Sequence, residues 1–307
     1  MRALVTGAGG FVGVHLVQHL AAAGDDVIEL DVRADGIDIT EADELTRAVV
    51  KAEPEAVYHL AGASDVGGSW GAPRATFLAN ALGTLNVLEA SREAGAERVL
   101  AVTSADVYGR VTEDELPLAE DQPLRPVSPY AASKVAADAL AQQAWLGHRF
   151  PVIRVRAFNH LGPGQSDRFV APSLAARIAR NESDGGEVVP IGNLEPRRDV
   201  TDVRDVVRAY RLLVAHGEPG EVYNVCSGRA VSVRQMAEHL LGMARHPMRL
   251  VSDPDLQRPV DIPVLVGDNH KLAMATGWSP TIPLETTLAD VLAEWRARVA
   301  DQRGDPA

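Results

Sequence analysis

The feature that most constrains this chain is a trio of glycines. Gly7, Gly10 and Gly13 are spaced G-x-x-G-x-x-G, directly after the apolar run ALVTG (3–7) and ahead of the helical pattern HLVQHLAAAG (15–24). Strand, glycine turn and helix in immediate succession open a βαβ unit. Glycine there lets the backbone turn sharply, lets a pyrophosphate approach and lets helix pack on strand. The spacing differs from the G-x-G-x-x-G of many dinucleotide-binding chains, so its position between strand and helix gives it weight.

The alternation continues. DVIELD (26–31), AVYHLAG (56–62), RVLAVTS (98–104) and PVIRVRAF (151–158) read as strands, separated by helical patterns after Gly13, at 41–52, at 84–94 and from Pro129 to about Gln143. Strands alternating with helices predict an α/β fold built on a doubly wound parallel sheet of the Rossmann type. Residues 159–198 then turn rich in Gly, Pro, Asn and Arg, with one helix near 172–181. The segment 200–216 reads as a helix and EVYNVCSG (221–228) as a strand. The tail holds helices at 232–244 and 284–299 around a Pro-rich loop at 254–263. The expected organisation is a dinucleotide-binding domain over 1–157, to which 199–228 returns, and a smaller C-terminal lobe made mainly from 158–307.

The 307 residues are ample for such a core. The formal net charge of -12 argues against nucleic acid and anionic membranes as partners. No apolar run reaches the ~18 residues of a membrane span. The N-terminus has no signal-peptide layout, so a cytoplasmic location is expected. Cys226 is the single cysteine and offers no disulfide within the chain. The histidines lack metal-ligand spacing, and the aspartates at 199–205 read as helix caps, so no metal is expected.

Asp31 ends the second strand, 18 residues past Gly13. A carboxylate there can accept from ribose hydroxyls and repels a 2′-phosphate, which favours NAD(H); Arg33, two residues on, leaves NADP(H) open. Asp38 and Ile39 are placed to flank an adenine. Tyr130 and Lys134 form Y-x-x-x-K within SPYAASKVAAD, and residues four apart share a helix face. The ammonium is expected to lower the phenol's pKa, so that Tyr130 exchanges a proton with a sugar oxygen while hydride moves at a nicotinamide. Lys134 can also hold the nicotinamide ribose. The pair alone could be an ordinary surface pair. Ser104 changes that reading, because it ends a strand where open α/β sheets bind ligands and can hydrogen-bond the reacting oxygen.

Taken together, the glycine turn, HLAG (59–62), N-x-x-G-T-x-N (80–86), TSADVYG (103–109) and YAASK (130–134) resemble the extended short-chain dehydrogenase/reductase family over nearly the whole chain. The resemblance implies a catalytic triad of Ser104, Tyr130 and Lys134. It sets Phe11, Val12, Leu60, Ala61, Gly62 and Asn80 along the cofactor. Ser64, Asn159, Val170, Gly192, Asn193, Arg198 and Arg258 fall on the substrate, the arginines facing a diphosphate. It also implies a homodimer through helices at 84–95 and 130–145.

The second half, with RAFNHLGPGQ (156–165), GNLEPRRDVTDVRDVVRAY (192–210) and RPVDIP (258–263), resembles the branch of GDP-mannose 4,6-dehydratases and GDP-4-dehydro-6-deoxy-mannose reductases, the reductases most. A dehydratase of this kind needs an acid and a base in the two residues after the catalytic Ser. Here they are Ala105, which does no acid–base work, and Asp106, shorter than the usual Glu. Reduction of a GDP-linked keto sugar is therefore the leading expectation, with 4-epimerisation and dehydration as alternatives. A non-catalytic dinucleotide sensor is disfavoured by the intact triad.

Overall fold

The computed structural model describes residues 1–256 and 262–303; Arg258 lies outside the described residues. In chain order, the first half contains β1 (Arg2–Thr6), α1 (Phe11–Ala22), β2 (Asp26–Leu30), α2 (Ala42–Ala52), β3 (Ala56–His59), α3 (Pro73–Phe77), α4 (Gly83–Glu93), β4 (Arg98–Ser104), α5 (Pro129–His148) and β5 (Val152–Ala157). The second half contains β6 (Asn159–Leu161), α6 (Val170–Asp184), β7 (Val188–Ile191), β8 (Arg197–Asp202), α7 (Val203–His216), β9 (Val222–Val225), β10 (Ala230–Ser232), α8 (Val233–Gly242), β11 (Arg249–Ser252), β12 (Val264–Leu265), α9 (His270–Thr276) and α10 (Leu284–Arg303).

Six parallel strands form the main sheet in the order β2-β1-β3-β4-β5-β9. Its central strands are apolar on both faces because helices cover both. Ala3 and Val5 point to a core shared with Leu16, Val206, Leu213 and Trp278. Leu4, between them, points to the opposite core with Leu45, Val87, Val99 and Ala141. The sheet is a Rossmann-like α/β fold. Its strand order reverses between β1 and β3, and the crevice outside the C-terminal strand ends at such a switch point is where open α/β sheets bind ligands.

A second body is assembled from the later elements. β10, β8 and β12 pair, with β6 alongside β8, and β7 pairs with β11. Leu174, Ile178, Met236, Leu240, Leu288 and Trp295 close its core between α6, α8 and α10.

Several boundaries differ from the sequence reading, each for a local reason. α1 begins at Phe11, so Gly13 sits inside its first turn rather than ahead of it. β3 ends at His59, because Leu60 to Gly62 leave the sheet toward the glycine turn. α4 is preceded without a break by α3 and a π-helical stretch, Leu78–Leu82. The helix expected over 200–216 starts only at Val203: Val200 and Thr201 are β-branched and pair with β6, and the Asp202 carboxylate then caps α7 through Arg204 N. α5 continues to His148, five residues past Gln143.

Candidate active site

Ser104 is the last residue of β4, and Tyr130 and Lys134 lie on the first turns of α5. The sequence enforces that start. Pro129 occupies the first helical position, where no N–H is needed, and the Ser128 hydroxyl accepts from Ala131 N at 3.1 Å. Tyr130 and Lys134 are each 8% exposed. The Ser104 hydroxyl hydrogen-bonds the Tyr130 phenol and also accepts from Asp106 N at 3.1 Å. Lys134 Nζ donates to Val102 O at 3.2 Å. The three side chains expected from the sequence therefore converge at the C-terminal end of β4.

Their electrostatics correct one expectation. The Tyr130 phenol is pushed up, not down: burial dominates, the Asp106 carboxylate adds to it, and the Ser104 hydrogen bond opposes both. Burial lowers Lys134 to about 8. Both groups sit in a desolvated pocket that disfavours their charged forms, so the phenol keeps its proton in the folded chain.

The glycine turn forms the cradle its spacing suggested. Gly7 has φ +71°, and a Cβ there would lie 2.8 Å from Ala61 N. A Cβ at Gly13 would run into the carbonyls of Gly7 and Ala8. Gly10 caps α1 without a side-chain hydrogen bond, and the first turn holds no acidic residue. Bare N–H groups at the positive end of a helix, next to a surface that no Cβ obstructs, fit a dinucleotide pyrophosphate. Asp31 stands over this turn. Its carboxylate accepts from Gly9 N and Arg33 N, each at 3.0 Å. The Arg33 side chain is exposed. Asp38 accepts from Thr40 N, and Ile39 O accepts from Asn86, which fastens this segment to α4. Phe11 stacks on His160 with ring centroids 6.0 Å apart, and both rings, like Val12, are half-buried.

Asn80 fastens the loop after β3. Its amide accepts from Ala63 N at 2.8 Å and donates to Ala63 O and to the Ser133 hydroxyl. It pins the Leu60–Ala63 segment to α5, and it lies in the π-helical stretch, a distortion common at functional sites.

Within the second body, among β6, α6, β7, β8 and α8, lies a cavity of about 250 Å³, far larger than a packing defect. Asn159, Val170, Gly192, Asn193 and Arg198 all line it. Ser64 is exposed on the loop after β3 and does not reach the cavity wall. Arg198 donates to Ile262 O at 2.7 Å and to Arg197 O at 3.0 Å. Arg168 and Arg177 also line the cavity, and Arg177 donates to Pro190 O. Neither sits in a motif, so nothing in the sequence singled them out. Of the aspartates read as caps, only Asp202 is one. Asp199 receives Ser227 N, Gly228 N and Gly267 N, and Asp205 receives Thr281 N and Ile282 N, so both are buried staples between loops.

Two further residues escaped the sequence reading. Ser69 is 1% exposed, and its hydroxyl accepts from Tyr130 N at 3.3 Å. His59 is 3% exposed and joins a chain of hydroxyls. Thr84 donates its proton to Asn80 O at 2.6 Å, so it must accept from His59 Nε2, 3.0 Å away. His59 Nδ1 is left to accept from Thr6 at 2.9 Å. Burial, and secondarily the Lys134 charge, hold this imidazole down at about 3.

Residues 3–226 match the model of the NAD dependent epimerase/dehydratase family, and the chain belongs to that family, which is enzymatic and NAD(P)-dependent. It is 39% identical to the GDP-6-deoxy-D-mannose reductase of Pseudomonas aeruginosa over 98% of this chain and 99% of that protein. Its fold matches the structure of RMD from Pseudomonas aeruginosa complexed with NADPH at a TM-score of 0.89, with 38% identity, 97% of this chain and 100% of that one covered. It also matches the UDP-glucose 4-epimerase of Thermus thermophilus complexed with NAD, at a TM-score of 0.87, 30% identity and coverage of 96% and 99%.

Proposed function

We propose that this chain is a reductase that transfers hydride from NAD(P)H to the C4 ketone of a GDP-linked 4-dehydro-6-deoxy sugar. The observation that carries this reading is the pairing of a complete Ser104–Tyr130–Lys134 triad with alanine at position 105. The machinery for moving hydride and a proton at one carbon is present, while one of the two acid–base groups needed for elimination is missing. The full-length similarity to a GDP-6-deoxy-D-mannose reductase supports the same reading.

In this mechanism a bound nicotinamide cofactor would supply the hydride. Gly7, Gly10 and Gly13 would hold its pyrophosphate, Asp31 its adenosine ribose, and Lys134 its nicotinamide ribose. Phe11, Val12, Leu60, Ala61, Gly62, Asp38, Ile39 and Asn80 would flank it. Tyr130 gives its phenolic proton to the C4 oxygen, and Ser104 holds that oxygen. The Asp106 N–H occupies a lone pair on Ser104, which leaves the serine proton free to be donated. Lys134 stabilises the tyrosinate that forms. Asn159, Val170, Gly192, Asn193 and Arg198 hold the nucleotide-sugar in the cavity, with Arg168 and Arg177 adding charge against its diphosphate.

The protein acts as a cytoplasmic homodimer in this reading. Ala132, Ala139, Gln143 and Leu146 lie exposed along α5, with Leu146 62% exposed, beside Phe77, Leu78 and Leu82 ahead of α4. Such a stripe suits a helix–helix contact between copies. Among the described residues no helix is long and apolar enough to cross a membrane.

The discriminating experiment offers purified protein GDP-mannose alone, and the 4-keto-6-deoxy derivative with NADH or NADPH. Stoichiometric loss of reduced cofactor and a gain of two hydrogens on the keto sugar support reduction. Loss of water from GDP-mannose with no net cofactor use overturns it in favour of dehydration. The similarity to a UDP-glucose 4-epimerase makes C4 inversion of a nucleotide sugar, again without net cofactor use, the other contrary outcome.

A further inference from the structure

β5 carries two arginines into the interior, Arg154 at 6% exposure and Arg156 at 5%. Both grip one carboxylate, that of Asp138 on α5, itself 2% exposed. Arg154 Nη1 lies 2.8 Å from Oδ1, and Arg156 Nε lies 3.1 Å from Oδ2. Arg156 reaches on to the Tyr108 hydroxyl at 3.1 Å and to Glu120 O at 2.8 Å. Tyr108 in turn donates to Asn224 of β9 at 2.7 Å.

Stability does not account for this cluster. Buried ion triads of this kind can often be replaced by apolar side chains of similar volume at no loss. Here the cluster even leaves Arg154 Nε without an acceptor among the described residues. What an ion pair provides that apolar contact does not is a fixed register.

The register matters because of what α5 bears. Tyr130, Lys134 and Asp138 are spaced four apart and share one helix face. The third triad member, Ser104, ends β4, and the preceding residue, Thr103, pairs in the sheet with Arg156; its hydroxyl donates to Val155 O at 2.8 Å and lies 3.5 Å from Asp138 Oδ2. One carboxylate thus ties the helix holding two triad members to β5, which pairs through Ser104 with the strand holding the third.

We propose that Asp138 is a positioning residue for the reaction. Its ion pairs with Arg154 and Arg156 set the axial position and rotation of α5 on β4 and β5, and so the placement of Tyr130 and Lys134 against Ser104. Asp138 touches neither substrate nor cofactor. The proposal rests on the triad reading above.

The test compares the full-length wild-type protein with Asp138→Asn and with the triple variant Asp138→Leu, Arg154→Met, Arg156→Met. The triple variant removes every charge of the cluster at similar volume, and so remains informative if Asp138→Asn folds poorly. kcat and KM are measured separately on the keto sugar, with NADPH affinity by fluorescence titration, thermal melting and the alkaline limb of the kcat profile. A misplacement near 1 Å costs about 100-fold in rate. The expected result is a kcat loss of that order per folded molecule, whatever the melting temperature, with KM and NADPH affinity within about 3-fold of wild type and a displaced alkaline limb. Wild-type kcat in either folded variant overturns the proposal, as does a loss that merely tracks the folded fraction. Tyr130→Phe runs alongside: if it stays active the triad reading itself fails, whereas if it is inactive and the Asp138 variants are not, only the positioning role falls.

Discussion

Tyr130 N donates to the hydroxyl of Ser69, which lies 61 residues earlier in a glycine-rich loop, at 3.3 Å. That N–H belongs to the first turn of α5, where no carbonyl within the helix can receive it. Ser69 passes its own proton to Val66 O at 2.7 Å. The loop after β3 is thereby tied to the proposed proton donor. Ser69→Ala leaves a buried N–H without its partner and should cost about 1–3 kcal/mol of stability. The same variant should lower kcat for the keto sugar more than it changes KM. Chemical denaturation and steady-state kinetics check the two effects; unchanged kcat would show that the loop tie has no bearing on the donor.

The ionisation of Lys134 sets the alkaline limb. Burial lowers its ammonium from the usual 10.5 to about 8. The cationic form is the one that supports a tyrosinate, so kcat/KM for reduction should fall as pH rises through about 8. Lys134→Met should flatten that limb at a much lower plateau. A wild-type profile flat from pH 7 to about pH 10, the range below the free lysine value, would contradict this role.

His59 should make the fold acid-sensitive. Its imidazole is lowered to about 3 in the folded chain against 6.5 as the reference value. Between those values the unfolded chain binds the proton and the folded chain does not, so acidification favours unfolding. Stability from this residue is fully present above pH 6.5 and is lost progressively as pH drops toward 3. Urea midpoints measured across this window should fall with pH, and His59→Gln should reduce the slope. An equal slope in the variant would assign the acid sensitivity to other groups.

Cofactor preference should turn on Asp31 and Arg33. The carboxylate already accepts from Gly9 N and Arg33 N, so it is held in place above the glycine turn. Asp31→Ala should weaken NADH binding by about 1.5–3 kcal/mol, the worth of a hydrogen bond to a charged group, and penalise NADPH less. Arg33→Ala should do the reverse. Parallel titrations with both cofactors test this, and equal losses for the two would remove Asp31 from the ribose.

How much of this was legible in the sequence depended on whether the signal was local. The glycine turn, the Y-x-x-x-K pair and the serine ending β4 are short patterns whose chemistry needs fixed spacing, and the structure brings Ser104, Tyr130 and Lys134 together. The cavity residues Asn159, Gly192, Asn193 and Arg198 lie in longer motifs, and Val170 came from the family resemblance alone. Ser69, His59 and Asp138 were not, because each acts through partners distant in sequence: Tyr130, Thr6 and the two arginines of β5. β6 and β8 were missed for a related reason. They are short strands that pair with one another across an intervening helix, so neither shows a periodicity of its own. The lowered phenol pKa was expected from the Lys134 charge; burial and the Asp106 carboxylate instead raise it, and the Ser104 hydrogen bond is what opposes them.

The central claim is hydride delivery to the sugar's C4, and isotope transfer reads it directly. The purified protein is given GDP-4-dehydro-6-deoxy-mannose with NADPH or NADH deuterated at the transferable position of the nicotinamide, and the sugar product is examined by mass spectrometry and NMR. The account predicts one deuterium at C4 for each cofactor oxidised, and none of that transfer in Tyr130→Phe. A sugar recovered without deuterium while the reduced cofactor persists would contradict it.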